Sequence, residues 1–250
     1  MIFAAGLGTR LKPYTETMPK ALVPVAGVPM LQILIKHLLE NGIYDIIVNV
    51  HHFAAQVIEF LNLNNNFGAN IIISHEDELL LDTGGGLKKA AWFFNDNEPF
   101  LVQNVDVLSD LDYSKMLDMH IKSGALATLA VCRRSTSRYF LLDDQNQLCG
   151  WENTQTSEVR MIQPGAQNLN RFAFSGIHII DPSIFGFMPE GGKFSIVATY
   201  LDLAAGKKVI GFEHNPETWV DMGKPEELLK AASILKNMQS AKQKINIDNS

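Results

Sequence analysis

Four charged side chains stand where apolar segments of the chain end. Arg10 and Lys20 follow the opening run MIFAA, Asp106 ends the run LVQNVD, and Asp221 follows a short β-like stretch. Fixed cations just past a strand attract an anion. A carboxylate at the end of a buried strand is well placed for Mg²⁺, which takes one or two carboxylates with phosphate oxygens and water. The plainer alternatives stay open: solvated surface charge for the two cations, turn capping for Asp106, and two acids that never meet.

The run GLGTR lies between the first predicted strand and the cations. Gly6 and Gly8 permit backbone conformations and close approaches that a side chain would block. The run is not a dinucleotide fingerprint, because Leu11 stands where the third glycine or alanine belongs, and no Walker A lysine follows. The glycines alone favour phosphate binding and plain turn geometry equally. Neighbouring prolines stiffen the backbone that carries Arg10 and Lys20, so these two cations favour phosphate binding.

A second glycine-rich segment, LLDTGGGL, precedes a predicted helix. Three consecutive glycines cost helix stability. They also leave bare backbone for a flat ring and offer amide donors at a helix N-terminus. A loose loop with Thr83 as the helix N-cap explains the segment equally well.

Several other chemistries lack support in the sequence. His51 and His52 are adjacent, so in an extended chain they point opposite ways and make a poor metal pair. The seven histidines show no HExxH spacing, which disfavours zinc. The chain has no GxSxG motif, so a serine hydrolase is not indicated.

The composition describes an ordinary globular protein of 250 residues, with 46% hydrophobic and 19% charged residues. The net charge of −6 gives no support for binding to nucleic acid or to an anionic membrane. Cys132 and Cys149 form no CxxC pair, so reduced thiols and a cytoplasmic location are expected. We find no membrane-length apolar run and no signal-peptide pattern. The apolar run starts at Met1, which leads us to expect a natural start slightly earlier.

Helix and strand patterns alternate through the first half of the chain. The predicted helices cover residues 30–41, 54–63, 86–94 and 113–122, and the predicted strands cover 46–50, 71–74, 99–105 and 127–132. This order predicts an α/β fold with a Rossmann-like, mostly parallel mixed sheet flanked by helices. Ligands of such sheets lie outside the carboxyl ends of the strands, where GLGTR is placed.

The pattern changes from about Tyr139. Three short strand candidates, YFLLDD, QLCGW and RFAFSGIHII, are followed by helices near 195–204 and 224–236. Since no linker-like composition separates the halves, we predict one domain over residues 1–236. It would divide into a larger part of about 1–135 and a smaller lobe of about 136–236 on the same sheet. Residues 237–250 are predicted to be a polar tail or frayed helix end.

Taken together, the motifs resemble one family, the sugar-1-phosphate nucleotidyltransferases. The stretch AAGLGTRLKPYTETMPKALVPVAGVPML is similar to that family's N-terminal signature. LLDTGGGL, QNVDV, FSGIHII and ETWVDMGKPEELLKA follow in the expected order. Within the family, the compact chain looks most like the N-acetylmuramate-1-phosphate uridylyltransferases of cell-wall recycling. Mannose- or heptose-1-phosphate guanylyltransferases are the alternative.

The resemblance implies an enzyme that joins a nucleoside triphosphate to a sugar 1-phosphate and releases pyrophosphate, with Mg²⁺ as its cofactor. It implies small-molecule substrates as the partners and leaves the nucleobase, the sugar and the oligomeric state open. The implied catalytic residues are Arg10, Lys20 and Asp106, and the implied magnesium ligands are Asp106 and Asp221. The implied nucleotide-binding residues are Ala5, Gly6, Gly8, Thr9, Asp82, Thr83 and Gly84. The larger part then binds the nucleotide and the smaller lobe binds the sugar.

The chain departs from the family pattern on the sugar side. Val105 stands where relatives commonly have glycine, which predicts a shifted strand end or a narrower cleft. The segment Gly150-Trp151-Glu152-Asn153-Thr154 lacks the lysine that many relatives use for the sugar phosphate. Arg138 is the candidate to replace it as an anion partner. The sugar-binding candidates are Glu152, Ser175, Gly176 and Arg138. A nucleotide-sugar sensor on the same fold is a further alternative, against which the full set of charged residues argues.

Overall fold

The structure, a computed structural model, describes residues 1–163 and 165–248. A ten-stranded mixed sheet forms its centre, and eight of its strands lie in the order β11-β10-β9-β12-β6-β1-β4-β5. The parallel side holds β1 (Ile2–Phe3), β4 (Asp45–Val50), β5 (Asn70–His75) and β6 (Phe100–Asn104). The antiparallel side holds β9 (Arg138–Leu142), β10 (Leu148–Asn153), β11 (Glu158–Met161) and β12 (Asn170–Ile180). The remaining two are β8 (Ala127–Cys132), which pairs with β12, and β13 (Val209–Glu213), which pairs with β8.

Six helices accompany the sheet in the described part of the chain. They are α1 (Met30–Glu40), α2 (Ala54–Leu63), α3 (Asp82–Lys89), α4 (Tyr113–Ser123), α5 (Ile196–Leu203) and α6 (Leu228–Asp248). Three differ little from the predicted ranges, and α2 matches its range. Two predictions were wrong at their boundaries: α3 starts four residues before the predicted Gly86 and ends at Lys89, and α6 starts at Leu228 and continues beyond the predicted Lys236. The predicted α/β class with a mixed sheet is confirmed.

Both faces of the sheet are buried, as alternation along β4 illustrates. Ile46, Val48 and Val50 pack into one hydrophobic core with α1, while Ile47 packs into a second core on the opposite face. Successive strand side chains point to opposite faces, so a strand with helices on both sides reads as a continuous apolar run. This packing fixes the carboxyl ends of β1, β4 and β6 along one edge.

A small second sheet pairs two distant segments beside that edge. β7 (Val107–Ser109) runs antiparallel to β14 (Trp219–Asp221). A third, two-stranded sheet joins β2 (Pro24–Val25) to β3 (Val28–Pro29). Of the strands in residues 138–180, β12 pairs directly with β6 and β8 and the other three follow it, so the second half of the chain shares the central sheet. Among the described residues, no helix has the length and apolarity needed to cross a membrane.

Candidate active site

The loop after β1 folds back as three short 3-10 turns, Thr9–Leu11, Tyr14–Glu16 and Lys20–Leu22. Gly8 has φ of 64°, and a Cβ there would lie 2.8 Å from Thr15 Cγ2 and 2.9 Å from Lys20 Cβ. The Thr15 hydroxyl donates to the Gly8 carbonyl at 2.9 Å. The loop therefore requires glycine at position 8, because only glycine lets the loop pack this closely against Lys20.

Gly6 differs from Gly8, because a Cβ at Gly6 would meet no atom within 4 Å. Its φ is also outside the left-handed region. Thr9 is exposed beside it, whereas Ala5 is buried. The fold itself gives no reason for glycine at position 6, so open space in front of the backbone is what the residue provides.

Two cations and two acids converge in front of this loop. The Lys20 ammonium forms an ion pair with Asp106 Oδ2, and both side chains are largely buried. Arg10 Nη1 donates to Asp221 Oδ2 at 3.1 Å, with 54% of the arginine side chain exposed. The structure thus brings all four charged residues named from the sequence to one place.

The pairing of β7 with β14 explains why the two acids meet. Asp221 lies opposite Val107, which directly follows Asp106. The Met222 amide donates to the Asp106 carbonyl at 2.7 Å and extends the pairing by one bond. Residues separated by more than 100 positions in the chain are thereby held side by side by backbone hydrogen bonds.

Gly223 lies at the centre of the charged group. A Cβ at this position would be 2.5 Å from Asp106 Oδ2, 2.8 Å from Asp221 Oδ1 and 3.0 Å from Arg10 Nη2. Its amide donates to Asp221 Oδ1 at 2.9 Å. The absence of a side chain lets the two carboxyl groups approach each other, a signal that GKPEE in the sequence did not reveal.

The two carboxyl groups differ in acidity. Burial raises the pKa of Asp106, and the nearby Asp221 carboxylate adds to this while the Lys20 ammonium opposes it. Burial is also the largest single influence on Asp221 and works against its ionisation, but the Arg10 guanidinium, the Asp106 carboxyl, the Gly223 amide and the Lys20 ammonium together outweigh it and lower the pKa of Asp221. Each carboxyl group influences the ionisation of the other, so an additional positive charge between them would favour the state in which both are ionised.

The donor set at this place suits Mg²⁺ better than a transition metal. In the part of the chain that the structure describes, no cluster of three or more His, Cys, Asp or Glu side chains has metal-binding geometry. Two adjacent carboxylates remain. Mg²⁺ commonly takes one or two carboxylate ligands from the protein and completes its coordination shell with phosphate oxygens and water. Asp106 and Asp221 therefore fit the predicted ion on their chemistry, while its binding stays a prediction.

The glycine triplet at residues 84–86 packs against other parts of the protein. The Gly84 amide donates to the Phe194 carbonyl at 2.9 Å, and a Cβ on Gly84 would lie 2.4 Å from the Phe194 ring. The expectation that this amide is free for a ligand was wrong. The alternative of Thr83 as N-cap was also wrong, because Thr83 lies inside α3 and its hydroxyl accepts from the Ile196 amide at 3.0 Å. Asp82 is exposed at the start of the helix.

A buried polar network that the sequence analysis missed supports this region. Asn49 Oδ1 accepts from the Ala4 amide at 2.7 Å, and Asn49 Nδ2 donates to Glu76 Oε1 at 2.7 Å. Glu76 Oε2 accepts from the Leu81 amide at 2.8 Å. The network links the end of β1 to the segment before α3. Its signal in the sequence was a polar residue inside the apolar run DIIVNV and an acid after IIISH.

Of the residues predicted for the sugar side, Ser175 and Gly176 are buried and make contacts within the fold. Ser175 is fully buried, and its hydroxyl is 2.7 Å from His214 Nε2. Gly176 has φ of 74°, and a Cβ there would lie 2.7 Å from Asn104 Nδ2. Val105 packs in the core, with 2% of its surface exposed, so the expected narrowing of the cleft by its side chain was wrong.

Glu152 and Arg138 occupy different surroundings. Glu152 pairs with Arg171 and lies next to Trp151, whose side chain points to the opposite face of β10. Arg138 and Trp151 both line a cavity of about 460 Å³ beside α5. Glu152 is not among the residues lining this cavity. The structure thus separates two side chains that the sequence analysis assigned to one sugar site.

The fold is found in known structures. HddC from Yersinia pseudotuberculosis, solved in complex with GMP-PN, superimposes with a TM-score of 0.74 at 24% identity, over 93% of this chain and 96% of that chain. A mixed sheet of this topology, with charged residues at the ends of its strands, is the nucleotide-diphospho-sugar transferase fold. The family model for nucleotidyl transferases matches residues 1–238. The chain belongs to the nucleotidyl transferase family.

Three curated relatives illustrate the range within the family. A UTP–glucose-1-phosphate uridylyltransferase of Synechocystis sp. is 28% identical, over 92% of this chain and 61% of that protein. A mannose-1-phosphate guanyltransferase of Yarrowia lipolytica is 28% identical, over 97% and 65%. An N-acetylmuramate alpha-1-phosphate uridylyltransferase of Caulobacter vibrioides is 30% identical, over 94% and 96%. The chain spans less than two thirds of the first two proteins and nearly all of the third.

Proposed function

We propose that the protein transfers a nucleoside monophosphate from a nucleoside triphosphate to a sugar 1-phosphate and releases pyrophosphate. The observation that carries this proposal is the convergence of Lys20, Arg10, Asp106 and Asp221 in front of the Gly6 loop. Family membership supports the same reaction class. The sugar phosphate oxygen attacks the α-phosphorus in line, the new P–O bond forms, and the bond to pyrophosphate breaks.

Charge neutralisation and positioning are the main tasks of the protein in such a transfer. Lys20 is held by its carboxylate partner at the base of the loop, where its ammonium can bind the α-phosphate and the incoming phosphate. Arg10 is half exposed at the rim, which suits contact with the leaving pyrophosphate. A sugar phosphate is already an anion near pH 7, so the attack needs no general base. The exposed backbone around Gly6 and Thr9 faces the nucleotide.

Asp106 and Asp221 are the proposed ligands of Mg²⁺. When bound, the ion supplies positive charge against the phosphate oxygens. The raised pKa of Asp106 and the proximity of the second acid make a cation favourable there, because it keeps both carboxyl groups ionised. Asp82 and Thr83 are proposed to border the base at the start of α3, where Asp82 is exposed, while the buried Gly84 stays engaged with Phe194.

For the substrates, we propose UTP and N-acetylmuramate 1-phosphate, a role in cell-wall recycling in the cytoplasm. The full-length match with the Caulobacter vibrioides relative supports this choice. A guanylyltransferase acting on mannose or heptose 1-phosphate is the alternative, supported by the match with the Yarrowia lipolytica relative. Both assignments use the same charged group and differ in the base pocket and the sugar cavity.

The test is pyrophosphate release in the presence of Mg²⁺, with UTP, GTP, dTTP and CTP crossed against N-acetylmuramate, mannose, glucose and heptose 1-phosphates. Turnover confined to UTP with N-acetylmuramate 1-phosphate is the expected result. Preference for GTP with mannose or heptose phosphate would retain the reaction and change the substrates. Absence of pyrophosphate with every pair would contradict the proposed transfer and favour a sensor.

A further inference from the structure

The cavity beside α5 is built for a ring with apolar faces. Its volume is about 460 Å³. Phe140, Trp151 and Phe174 line it from one face of β9, β10 and β12, and Ser195 and Val197 line it from α5 and its N-cap. Aromatic surfaces on one side and a helix on the other make a slot that fits a pyranose with its substituents.

The charges on the cavity wall do not balance. Arg134, Arg138 and Arg160 line it together with a single acid, Glu158. Arg160 forms an ion pair with Asp202 on α5 at 2.5 Å. Among the described residues, no carboxylate lies within 4 Å of the guanidinium of Arg134 or Arg138. Two arginines against one glutamate leave the cavity with excess positive charge.

Arg134 is held in a fixed position on the wall of the cavity. Its guanidinium lies 4.2 Å from the centre of the Trp219 ring, and its Nη2 donates to the Phe174 carbonyl at 2.9 Å. Its Nε is buried without a hydrogen-bond partner. A buried donor left unpaired in the protein costs free energy unless a ligand satisfies it. Trp219 is on β14, two residues before Asp221, so Arg134 connects the cavity wall to the strand that carries one acid of the candidate active site.

The phosphate of the acceptor does not account for these two arginines. In the proposed function that phosphate must reach Lys20 and the α-phosphorus, and neither Lys20 nor Arg10 lines the cavity. The arginines therefore exceed what a neutral sugar 1-phosphate would need. A guanidinium presents parallel N–H donors that match a carboxylate in a bidentate arrangement.

We propose that the cavity selects acceptor sugars that carry a carboxylate, which binds to Arg138 with Arg134 behind it. The inference rests on the proposed function and adds the substrate class and the residues that recognise it. Arg138 is the specificity-determining contact, since it is exposed at the start of β9 and pairs with no carboxylate in the part of the chain that the structure describes. It acts on acceptor binding and takes no part in phosphoryl transfer.

A matched pair of acceptors tests the proposal. N-acetylmuramate 1-phosphate and N-acetylglucosamine 1-phosphate differ only in a lactyl ether that bears the carboxylate. We expect the wild type to prefer the acidic acceptor in kcat/KM, and Arg138→Ala to reduce the ratio of the two values by about 10- to 100-fold, mainly through KM. Arg138→Lys should retain part of the preference. The matched control is Arg133→Ala, since Arg133 pairs with Glu213 and lies outside the cavity wall.

The outcomes separate the inference from the function on which it rests. A ratio unchanged by Arg138→Ala, or a wild type without preference for the acidic acceptor, would overturn the carboxylate site while leaving the transfer reaction intact. Absence of turnover with both acceptors and with the mannose, glucose and heptose 1-phosphates would contradict the proposed function. In that case calorimetric titration with the same two sugar phosphates decides the inference. The carboxylate site is supported if the wild type binds the acidic sugar phosphate more tightly and Arg138→Ala abolishes this difference. Equal binding of the two sugar phosphates by the wild type overturns it.

Discussion

The exchange Gly6→Ala separates a phosphate-admitting loop from an ordinary turn. A Cβ at Gly6 meets no protein atom within 4 Å, and its φ is not left-handed. The variant should therefore fold as the wild type does. Replacing glycine at a compatible position stabilises a protein by about 0.4–1 kcal/mol through the unfolded chain. In a domain of this size that corresponds to a rise in Tm of about 1–4 °C.

Activity should move in the opposite direction. If the nucleotide phosphates approach the bare backbone at Gly6, a methyl group there displaces them by about an ångström, and a displacement of that size can cost about 100-fold in rate. We expect the kcat/KM for the nucleoside triphosphate to fall by about 100-fold, measured by pyrophosphate release with the acceptor saturating. Thermal unfolding followed by circular dichroism on the same preparation reports the stability.

Two further glycine variants serve as references. Gly206→Ala also places its Cβ in open space without a left-handed φ, far from the loop, so it should match Gly6→Ala in stability and keep wild-type kinetics. Gly8→Ala should lose both stability and activity, because a left-handed φ costs about 1–2 kcal/mol in a residue with a side chain and the new Cβ would clash with Lys20. A Gly6→Ala enzyme with wild-type kcat/KM for the triphosphate would refute the phosphate-binding role of this backbone.

Three other predictions concern the acids and a buried histidine. Asp106→Asn should lower kcat by at least about 1,000-fold with an unchanged far-UV circular dichroism spectrum, and near-normal turnover would exclude its role as a metal ligand. Glu76→Gln should destabilise the protein by about 1–3 kcal/mol in urea unfolding, because either orientation of the new amide turns its NH2 group towards a donor, Asn49 Nδ2 or the Leu81 amide. Burial lowers the pKa of His178 to about 3. Between pH 6.5 and 3 only the unfolded chain binds a proton at this histidine. The free energy of unfolding therefore decreases by about 1.4 kcal/mol for each unit by which the pH is lowered. His178→Gln should reduce the loss of unfolding free energy from pH 6 to pH 4 by about 2–3 kcal/mol, and a loss equal to that of the wild type would contradict the burial argument.

Local patterns predicted most of the fold. The boundaries of α2 and β8 follow from apolar periodicity and from breakers at their ends. The prediction for α3 started four residues late, because the glycines at its start have poor helix propensity. Packing of Gly84 and Gly85 against Phe194 and Gly192 overrides that propensity, since only glycine fits those contacts.

For the candidate site too, the sequence predicted one part and the tertiary structure determines the rest. The residue types and their order along the chain identified Arg10, Lys20, Asp106 and Asp221, because charged residues directly after apolar strands are unusual enough to be noticed one at a time. Their meeting is a property of the tertiary structure: β7 and β14 are three residues each and carry too little pattern to predict their pairing. The same limit applies to Glu152 and Arg138. Which face of a strand a side chain occupies depends on register, and register is set by contacts between segments far apart in the chain.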